Sequence, residues 1–355
     1  MSPSALTGVP LAPLTTLRLG GPAAKVVEAH TDEELIEAVR ACDAAGEPLL
    51  ALAGGSNVVI ADDGFAGTVV RVLTRGVQRD GAELDVAAGE PWDTVVAGAV
   101  DGGMAGIECL SGIPGSTGAT PIQNVGAYGQ DVAQTITSVR AYDRETGAVE
   151  DLPAAALGFG YRTSALRHHD RRIVLRVRFA LVESELSGPL TYAELKRAVG
   201  AERAPAADVR EAVLALRRGK GMVVDPTDPD SVSAGSFFTN PVLDAAAFAE
   251  LARRAGEAPP RFAAEGDGVK TSAAWLIERA GFHRGDVRGN VGISAKHSLA
   301  LVNRGGATTA ELVAFAREIA AGVRERFGVE LAPEPIFVGH SFTHVTRYAD
   351  TGGRP

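Results

Sequence analysis

The chain has 355 residues, 45% hydrophobic and 22% charged, and these ordinary globular proportions exclude a disordered or fibrous protein. Its 35 basic and 44 acidic side chains give a net charge of −9, and no run of lysine or arginine supplies the basic face of a nucleic-acid binder. Two cysteines allow at most one bridge, which excludes a disulfide framework and indicates a reducing compartment. There is neither a charged secretory start nor an apolar run of about 20 residues, so we expect a cytoplasmic protein outside the membrane.

The first third of the chain alternates helical and extended patterns. Thr31 and Glu34 form a capping box before a helical pattern that ends at Gly46. The apolar run at residues 49–53 then predicts a buried strand. Further strands are expected at residues 58–60, 69–73 and 83–88, and a helix is expected to begin near Pro91.

Residues 109–131 have a different composition. They are rich in glycine, serine, threonine and proline, poor in charge, and without a fixed apolar period. A loop of this length inside a compact domain is usually functional. The later patterns predict a hairpin of strands 139–143 and 148–152 and a strand with one polar face at 173–181. A domain boundary is expected within 216–230. Beyond it, helices are expected at 271–281 and 308–328, with a final strand at 336–338. The fold class is therefore α+β.

Two glycine-rich segments carry the chemistry that residue types indicate. In residues 54–57, Gly-Gly-Ser-Asn, the glycines allow backbone N–H groups to converge on a phosphate, and the serine and asparagine add neutral donors. Residues 111–118, with 121–129, can wrap a diphosphate and lay amide groups along a flat ring. A plain turn and an Ω-loop packed on itself are the alternatives. Neither segment is the Gly-x-Gly-x-x-Gly dinucleotide fingerprint, and residues 219–221 lack the hydroxyl residue of a Walker loop.

These segments, with residues 160–164, 234–241 and 331–334, resemble the UDP-N-acetylenolpyruvoylglucosamine reductase family. The matches keep the family's order over residues 14–339, and the Gly-Ser-Phe-Phe-x-Asn-Pro block is highly specific. The resemblance implies an FAD-binding fold of the vanillyl-alcohol oxidase type, in two α/β lobes, with a C-terminal α+β substrate-binding domain. The expected divisions are lobe 1 at 1–72, lobe 2 at 73–221, the substrate domain at 222–330, a strand near 331–345 that returns to lobe 1, and a tail at 346–355.

The resemblance assigns three catalytic residues, Arg162, Ser236 and Glu334, and implies that they meet at the edge of the flavin ring. Hydride addition to an enol ether leaves negative charge near the substrate carboxylate, and preorganised donors stabilise such charge. Arg162 offers a planar fork to that carboxylate, and Ser236 matches the family's proton donor. Glu334, between two prolines, helps to stabilise the charge, which requires it to be protonated or paired with Arg162. A strand-end or turn position without catalysis is the alternative for Arg162 and Ser236.

The resemblance also implies two sets of binding residues. The residues expected to contact FAD are Gly54, Gly55, Ser56, Asn57, Gly115, Ser116, Thr117, Gln123, Asn124, Gly126, Ala127 and Tyr128. The residues expected to bind the substrate are Tyr161, Tyr192, Lys220, Asn240, Lys270, Arg284 and His297. Each substrate contact has a solvated surface residue as its alternative. The chain departs from many relatives in a longer spacing from Lys220 to Ser236 and in Ile336, which replaces an arginine.

The implied activity is that of an NADPH-dependent UDP-N-acetylmuramate dehydrogenase of peptidoglycan precursor synthesis, and hence of cell wall biogenesis. NADPH reduces the flavin and leaves; the UDP-sugar then enters on the same face, takes hydride from flavin N5 and is protonated by Ser236. FAD is expected to be non-covalent, because no histidine lies in residues 54–57. His340 and His344 have metal-ligand spacing but lie in the tail, and no metal is expected.

Two other functions remain as alternatives. One is a sugar or lactone oxidase with the same flavin fold. The other is a catalytically silent regulator that binds flavin or a UDP-sugar. The expected partners are small molecules, with no nucleic acid and no membrane, and the chain is expected to be a monomer.

Overall fold

The computed structural model describes residues 6–264 and 266–342. His344, the tail at 346–355 and the end of the expected 331–345 strand lie outside the described residues. The chain divides into two compact units. The first unit holds the described residues up to Val9, together with Ala23–Gly55 and Ala66–Val223, and the second holds Pro10–Pro22, Ser56–Phe65 and the described residues from Val224 onward. The finer assignment of lobes and a substrate domain stays a prediction.

The described residues contain both α-helices and β-strands. The α-helices are α1 (Asp32–Ala45), α2 (Trp92–Asp101), α3 (Ala193–Val199), α4 (Ala206–Gly219), α5 (Ala245–Ala255), α6 (Ala273–Arg279) and α7 (Thr309–Phe327). The strands are β1 (Leu6–Pro10), β2 (Pro22–Ala29), β3 (Leu49–Leu52), β4 (Val58–Ile60), β5 (Phe65–Val72), β6 (Val77–Asp80), β7 (Glu83–Ala87), β8 (Met104–Ala105), β9 (Gly126–Ala127), β10 (Gln130–Asp131), β11 (Ile136–Asp143), β12 (Val149–Pro153), β13 (Arg172–Ala180), β14 (Val182–Glu183), β15 (Ser233–Ser236), β16 (Val242–Leu243), β17 (Phe262–Ala263), β18 (Val269–Lys270), β19 (Val287–Arg288), β20 (Val291–Ile293), β21 (Ala300–Asn303) and β22 (Ile336–Val338). This mixture confirms the α+β class.

The first unit is built on two larger sheets. One has the strand order β1-β2-β5-β3, with β3 parallel to β5, and the other is antiparallel with the order β12-β11-β13-β7-β6. One buried cluster joins the helices α1 and α2 to these sheets through residues such as Val39, Val70, Val96 and Val177. Residues 109–131 form short 3-10 turns and the hairpin β9–β10 rather than longer regular elements.

The second unit has its own core. An antiparallel sheet runs in the order β15-β21-β20-β19, a smaller one in the order β16-β18-β17, and β22 pairs with β4 in parallel. Buried side chains such as Ile277, Leu301, Phe237 and Phe315 join this framework to α6 and α7. The parallel pair is important for the site, because residues 57 and 334 stand just before β4 and β22.

The capping residues locate two helices as the sequence predicts, but the capping box at Thr31 is only half formed, because the Glu34 carboxylate accepts the N–H of His30 and not that of Thr31. The Thr31 hydroxyl accepts the Glu34 N–H at 3.1 Å and α1 follows. At the start of α7, Thr308 and Glu311 exchange both bonds of the capping box. Both helices end at a glycine in the left-handed conformation, which has no Cβ to clash there.

One expected pattern is corrected by packing. The strand β13 does not present one uniformly polar face, because Val174 is buried in the first unit's core cluster. Its polar neighbours Arg176 and Arg178 instead bind the carboxylate of Asp85 across the sheet. Helices α3, α4 and α5 are additional elements that the apolar patterns did not identify.

Candidate functional site

The first unit brings two glycine-rich segments into contact. A Cβ added to Gly54 would lie 2.7 Å from the Gly115 Cα and 3.3 Å from the Ser116 nitrogen, so only glycine fits there. Within residues 6–264 and 266–342, the backbone N–H groups of Gly54, Gly55, Gly115 and Ser116 donate to no acceptor. Backbone N–H groups gathered in adjoining turns form anion-binding sites. The arrangement fits the diphosphate of a dinucleotide such as FAD.

Hydrogen bonds to the start of α2 fix the second glycine-rich segment. The Trp92 N–H donates to the Gly115 carbonyl at 3.0 Å, and the Thr117 N–H donates to the Glu90 carbonyl at 2.9 Å. The Thr117 hydroxyl donates to the same Glu90 carbonyl at 3.1 Å. The segment therefore packs on the start of α2 rather than only on itself, and Thr117 holds it there through two hydrogen bonds to the Glu90 carbonyl.

Arg162 is held against the segment that follows. Its Nη2 donates to the Gly126 carbonyl at 2.6 Å and its Nη1 to the Asn124 carbonyl at 3.4 Å. The Asn124 side chain donates to the Gly160 carbonyl at 3.1 Å, and the Tyr161 ring lies under the guanidinium, 5.6 Å from ring centre to Cζ. The structure thus brings Asn124, Gly126, Tyr161 and Arg162 together.

Backbone strain is concentrated in the same region. Asn124, Tyr128 and Arg162 have φ angles of 48°, 51° and 55°, which non-glycine residues rarely adopt. A Cβ on Gly126 would lie 2.8 Å from the Asp131 Cβ. Such conformations persist where the surroundings hold them, and they cluster at active sites and ligand clamps. The strain supports a functional role for this segment.

Tyr128, Tyr192 and Lys220 form a second cluster in the first unit. The two rings meet edge to face with centroids 5.4 Å apart, and the Lys220 Nζ lies 5.5 Å from the Tyr128 ring centre. Lys220 also forms an ion pair with Glu194. Burial alone would lower the pKa of Lys220, but the Glu194 hydrogen bond and nearby charges outweigh it and raise that pKa. Because its pKa is raised, Lys220 is a cation at neutral pH. Burial also raises the pKa of Tyr128.

In the second unit, backbone hydrogen bonds place Glu334 beside the segment of Ser236. The Glu334 N–H donates to the carbonyl of Phe237, the residue after Ser236, at 2.8 Å. The Asn57 side chain donates to the Glu334 carbonyl at 3.4 Å, and the Ile336 N–H donates to the Asn57 carbonyl at 2.9 Å. Position 336 thus contributes a backbone bond that any residue except proline could make. Asn57, Ser236 and Glu334 lie in one small region.

The Ser236 hydroxyl is half-buried at the end of β15 and makes no hydrogen bond within the part of the chain that the structure describes. Its strand is anchored by Thr16, whose hydroxyl donates to the Ser233 carbonyl at 2.7 Å and lies 3.4 Å from the Ser56 carbonyl. Thr16 was not among the expected site residues. Residue 16 lies within the stretch that resembles the family, but its type alone gives no signal for such a role.

The remaining expected residues of the second unit are placed differently from one another. The Asn240 side-chain oxygen accepts the Ala273 N–H at 2.9 Å, so it helps to begin α6. Lys270 is in β18, where it is paired with residue 242, close along the chain to Asn240. His297 is half-buried in the turn before β21. Arg284 is exposed and makes no hydrogen bond or ion pair to a described residue, so the structure does not bring it to the others.

The expected loop at residues 54–57 is divided between the units, since Gly54 and Gly55 belong to the first and Ser56 and Asn57 to the second. Ala127 lies opposite residue 130 in the β9–β10 hairpin, and Gln123 is half-buried in the preceding loop. Among the three residues expected to be catalytic, the structure brings the backbone segments of Ser236 and Glu334 together. The meeting of Arg162 with them stays a prediction.

Three charged residues near the glycine-rich segments were missed. Asp93 in α2 accepts the Gly112 N–H at 2.6 Å and forms an ion pair with Arg210 of α4. Arg217, one turn before the end of α4, donates to the Met222 carbonyl at 2.7 Å, and burial lowers its pKa to about 10. The apolar spacing of residues 206, 209, 213 and 214 could have identified α4.

Within residues 6–264 and 266–342, no three histidine, cysteine, aspartate or glutamate side chains are grouped to hold an ion. No helix in these residues is long and apolar enough to span a membrane. Cys42 and Cys109 are buried and unbridged, and burial raises the pKa of the Cys109 thiol to about 12. That thiol is inert at neutral pH.

Comparison with known families identifies both parts of the chain. Residues 23–153 match the FAD binding domain, and residues 226–338 match the UDP-N-acetylenolpyruvoylglucosamine reductase C-terminal domain. The first match contains the contact between Gly54 and Gly115. The second contains Ser236 and Glu334.

Whole-chain relatives agree with these matches. UDP-N-acetylenolpyruvoylglucosamine reductase of Thermobifida fusca is 54% identical over 96% of this chain and 99% of its own length, and that of Streptomyces avermitilis is 56% identical over 94% and 95%. The crystal structure of the reductase from Thermus caldophilus is 26% identical, covers 95% of this chain and 98% of its own, and superposes with a TM-score of 0.64. The chain has an FAD-binding domain and relatives of this similarity along nearly its whole length. It therefore belongs to the UDP-N-acetylenolpyruvoylglucosamine reductase family of oxidoreductases.

Proposed function

We propose that this chain reduces the enolpyruvyl ether of UDP-N-acetyl-3-O-(1-carboxyvinyl)-glucosamine to UDP-N-acetylmuramate, with NADPH as the reductant in preference to NADH. The reaction adds a hydride and a proton across one carbon–carbon double bond. The observation that supports the proposal is the hydrogen bond from the Glu334 N–H to the Phe237 carbonyl, which brings the backbone of Glu334 beside the segment that contains Ser236. The product is a peptidoglycan precursor.

FAD, when bound, supplies the hydride that it receives from NADPH. The chain's own contribution is to hold that cofactor, and the N–H groups of Gly54, Gly55, Gly115 and Ser116 are suited to its diphosphate. Thr117, Gln123 and the segment 124–128 of the first unit are proposed as further contacts to FAD, and Ser56 and Asn57 of the second unit are proposed as contacts on the basis of the sequence. The pinned backbone provides these donors without reorganisation on binding.

Ser236 is proposed to donate the proton to the second carbon of the substrate. A hydroxyl is a weak acid, so it must be aimed at that carbon and its alkoxide must be stabilised. The absence of a competing acceptor among the described residues leaves the Ser236 proton available. Glu334 is proposed to stabilise the developing charge in its protonated form or when paired with a cation. Near-normal turnover by Glu334→Gln would contradict a catalytic role for Glu334.

Arg162 is proposed to orient the substrate carboxylate and to offset the charge that gathers there. Its bonds to the carbonyls of Asn124 and Gly126 fix the guanidinium plane. A guanidinium has five N–H donors in a rigid fork, which suits a planar carboxylate. The Tyr161 ring against it restricts its motion further.

The nucleotide end of the substrate is proposed to bind Tyr192 and Lys220, with Asn240, Lys270 and His297 as further contacts. The Tyr128–Tyr192–Lys220 cluster supports this assignment, since a lysine ammonium is a point charge suited to phosphate. Arg284 is the weakest member of the set because it is exposed and isolated. A monomeric state and a cytoplasmic location stay predictions.

A two-stage absorbance assay tests the function. The purified protein should be yellow, bleach on anaerobic addition of NADPH, and regain its colour when the enolpyruvyl UDP-sugar is added, with UDP-N-acetylmuramate as the product. Return of colour with oxygen alone, at a rate matching turnover, would support an oxidase of the same fold. A protein that binds flavin but does not bleach would support a silent binder. The same assay with NADH in place of NADPH tests the preference for the phosphorylated nicotinamide.

A further inference from the structure

One carboxylate in the first unit joins the glycine-rich segment to α4. The Asp93 Oδ1 accepts the Gly112 N–H at 2.6 Å. Arg210 approaches the same carboxylate with two N–H groups, Nη1 to Oδ1 at 2.6 Å and Nη2 to Oδ2 at 3.0 Å. A bidentate arginine–carboxylate pair has a defined geometry and is stronger than a single neutral hydrogen bond. The Gly112 peptide is therefore tied to α4 through Asp93.

The packing around Gly112 leaves little freedom. Gly112 has a φ of 71°, and an added Cβ would lie 2.8 Å from the Leu214 Cδ2 of α4. Arg210 is on the same helix and its side chain is only 15% exposed. Burial would raise the pKa of Asp93, but the bonds from Arg210 and Gly112 outweigh it and hold that pKa below its usual range. The carboxylate is therefore charged at neutral pH.

The interaction of Gly112 with Asp93 and Arg210 lies at the N-terminal end of the proposed diphosphate-binding segment, residues 112–117. At its other end, the Trp92 N–H holds the Gly115 carbonyl at 3.0 Å and the Thr117 N–H holds the Glu90 carbonyl at 2.9 Å. The N–H groups of Gly115 and Ser116, which donate to no described residue, lie between these anchors. Fixing both ends fixes the direction of the donors in between.

We propose that Asp93 and Arg210 are positioning residues for FAD: they hold the Gly112 peptide so that the following N–H groups face the cofactor's diphosphate. In this role neither side chain acts on the reacting atoms. Each acts through the Gly112 backbone, because donors that are already oriented bind an anion without the cost of ordering the loop. The inference rests on the FAD-binding domain and is independent of the identity of the substrate.

The chain offers a matched control for this arginine. Arg144 is also 15% exposed and is bound to two carboxylates, with Nη2 2.6 Å from Asp43 and Nη1 2.9 Å from Asp170. Neither partner lies in a glycine-rich segment. Replacement of Arg144 therefore removes a comparable structural ion pair from the same unit without touching the cofactor segment.

The experiment dilutes the holoenzyme and follows the fluorescence of released FAD, which gives the dissociation constant and the release rate. We expect Arg210→Met to raise the dissociation constant about tenfold or more, with turnover recovered in part by added FAD. Arg144→Met should stay within about twofold of the unaltered enzyme. Arg210→Lys retains one charged donor and should be intermediate.

Asp93→Asn provides a second test if Arg210→Met folds poorly, as judged by thermal unfolding. It keeps an acceptor for the Gly112 N–H but loses the charge that binds Arg210, so a smaller rise in the dissociation constant is expected. Equal FAD dissociation from the Arg210→Met and Arg144→Met proteins would overturn the proposal. So would unchanged FAD dissociation from a folded Asp93→Asn protein. Weaker FAD binding combined with failure to reduce the UDP-sugar at saturating FAD would instead contradict the proposed substrate.

Discussion

The glycine-rich region of the first unit and the Ser236 region of the second unit present different kinds of chemical group. In the first region, the groups that could bind a ligand are the backbone N–H groups of Gly54, Gly55, Gly115 and Ser116. There is no space for a Cβ at Gly54. In the second region the corresponding groups are side chains, above all the hydroxyl of Ser236 and the carboxyl of Glu334. The first region therefore depends on shape and the second on chemical identity.

The two kinds of group tolerate substitution in different ways. A backbone N–H group is unaffected by a side-chain substitution that leaves the loop conformation unchanged. Its function is lost mainly when a new side chain clashes with the loop or when the hydrogen bonds that hold the loop are removed. A side-chain acid is lost with the atom that carries the proton, while the surrounding fold remains. Variants in the first region should weaken FAD binding, and variants in the second should slow one chemical step.

The largest effect is expected from Ser236→Ala. Loss of the proton donor should slow the return of flavin colour after substrate addition by roughly 10²- to 10⁴-fold. Bleaching by NADPH should remain as fast as in the unaltered enzyme, and stopped-flow absorbance measures both stages. An equal slowing of the two stages would show that the residue serves the fold or cofactor instead.

Gly54→Ala should produce the next largest effect, and on binding rather than chemistry. The new methyl group would lie 2.7 Å from the Gly115 Cα. Relieving such overpacking costs about 1–3 kcal/mol, which corresponds to roughly a 5- to 150-fold rise in the FAD dissociation constant. Gly98→Ala is the control, since its Cβ meets nothing within 4 Å and it lies inside α2. That control should be neutral or slightly stabilising in thermal unfolding. Equal FAD affinity in the Gly54→Ala and Gly98→Ala proteins would show that the close contact between Gly54 and Gly115 is not needed for FAD binding.

Thr16→Val should have a smaller effect, confined to the second region. Valine keeps the shape but loses the donor to the Ser233 carbonyl, a hydrogen bond worth about 1 kcal/mol, or roughly a fivefold change in an equilibrium. We expect a slower second stage, with Thr16→Ser close to the unaltered enzyme because it retains the hydroxyl. Stopped-flow traces and urea unfolding check both effects. A loss in Thr16→Ser as large as in Thr16→Val would show that the hydroxyl alone does not account for the effect.

The smallest effect is expected from Glu194→Gln. The carboxylate binds Lys220 and would repel a diphosphate, so its removal should tighten UDP binding by about threefold, within the range of partly exposed ion pairs. Isothermal titration calorimetry with UDP measures the change. In a Lys220→Met background the gain in UDP affinity should disappear, because Glu194 and the diphosphate compete for the Lys220 ammonium group. A gain of the same size without the lysine would show that Glu194 acts on the ligand independently of Lys220.

Local sequence patterns predicted those elements whose stability is decided nearby along the chain. The helix-capping residues Thr31 and Thr308 located α1 and α7, because the bonds from their side chains join residues three positions apart. The apolar run before Gly54 located β3, but the expectation that this strand is buried was wrong, because β3 lies at the edge of its sheet and only Leu52 in it is buried. Helix α4 was missed, and with it Arg210 and Arg217, whose partners lie on other elements.

The sequence by itself determined the fold class, the family and the identities of the candidate catalytic side chains, because these depend on residue types in a fixed order. Only the tertiary structure decided that Thr16 supports the strand of Ser236, that Glu334 is bonded beside it, and that Asp93 joins Gly112 to Arg210. These contacts join residues from 19 to 217 positions apart. Residue type alone does not reveal them, since a hydrogen bond depends on the distance and angle between two groups, and the packing of the folded chain sets both.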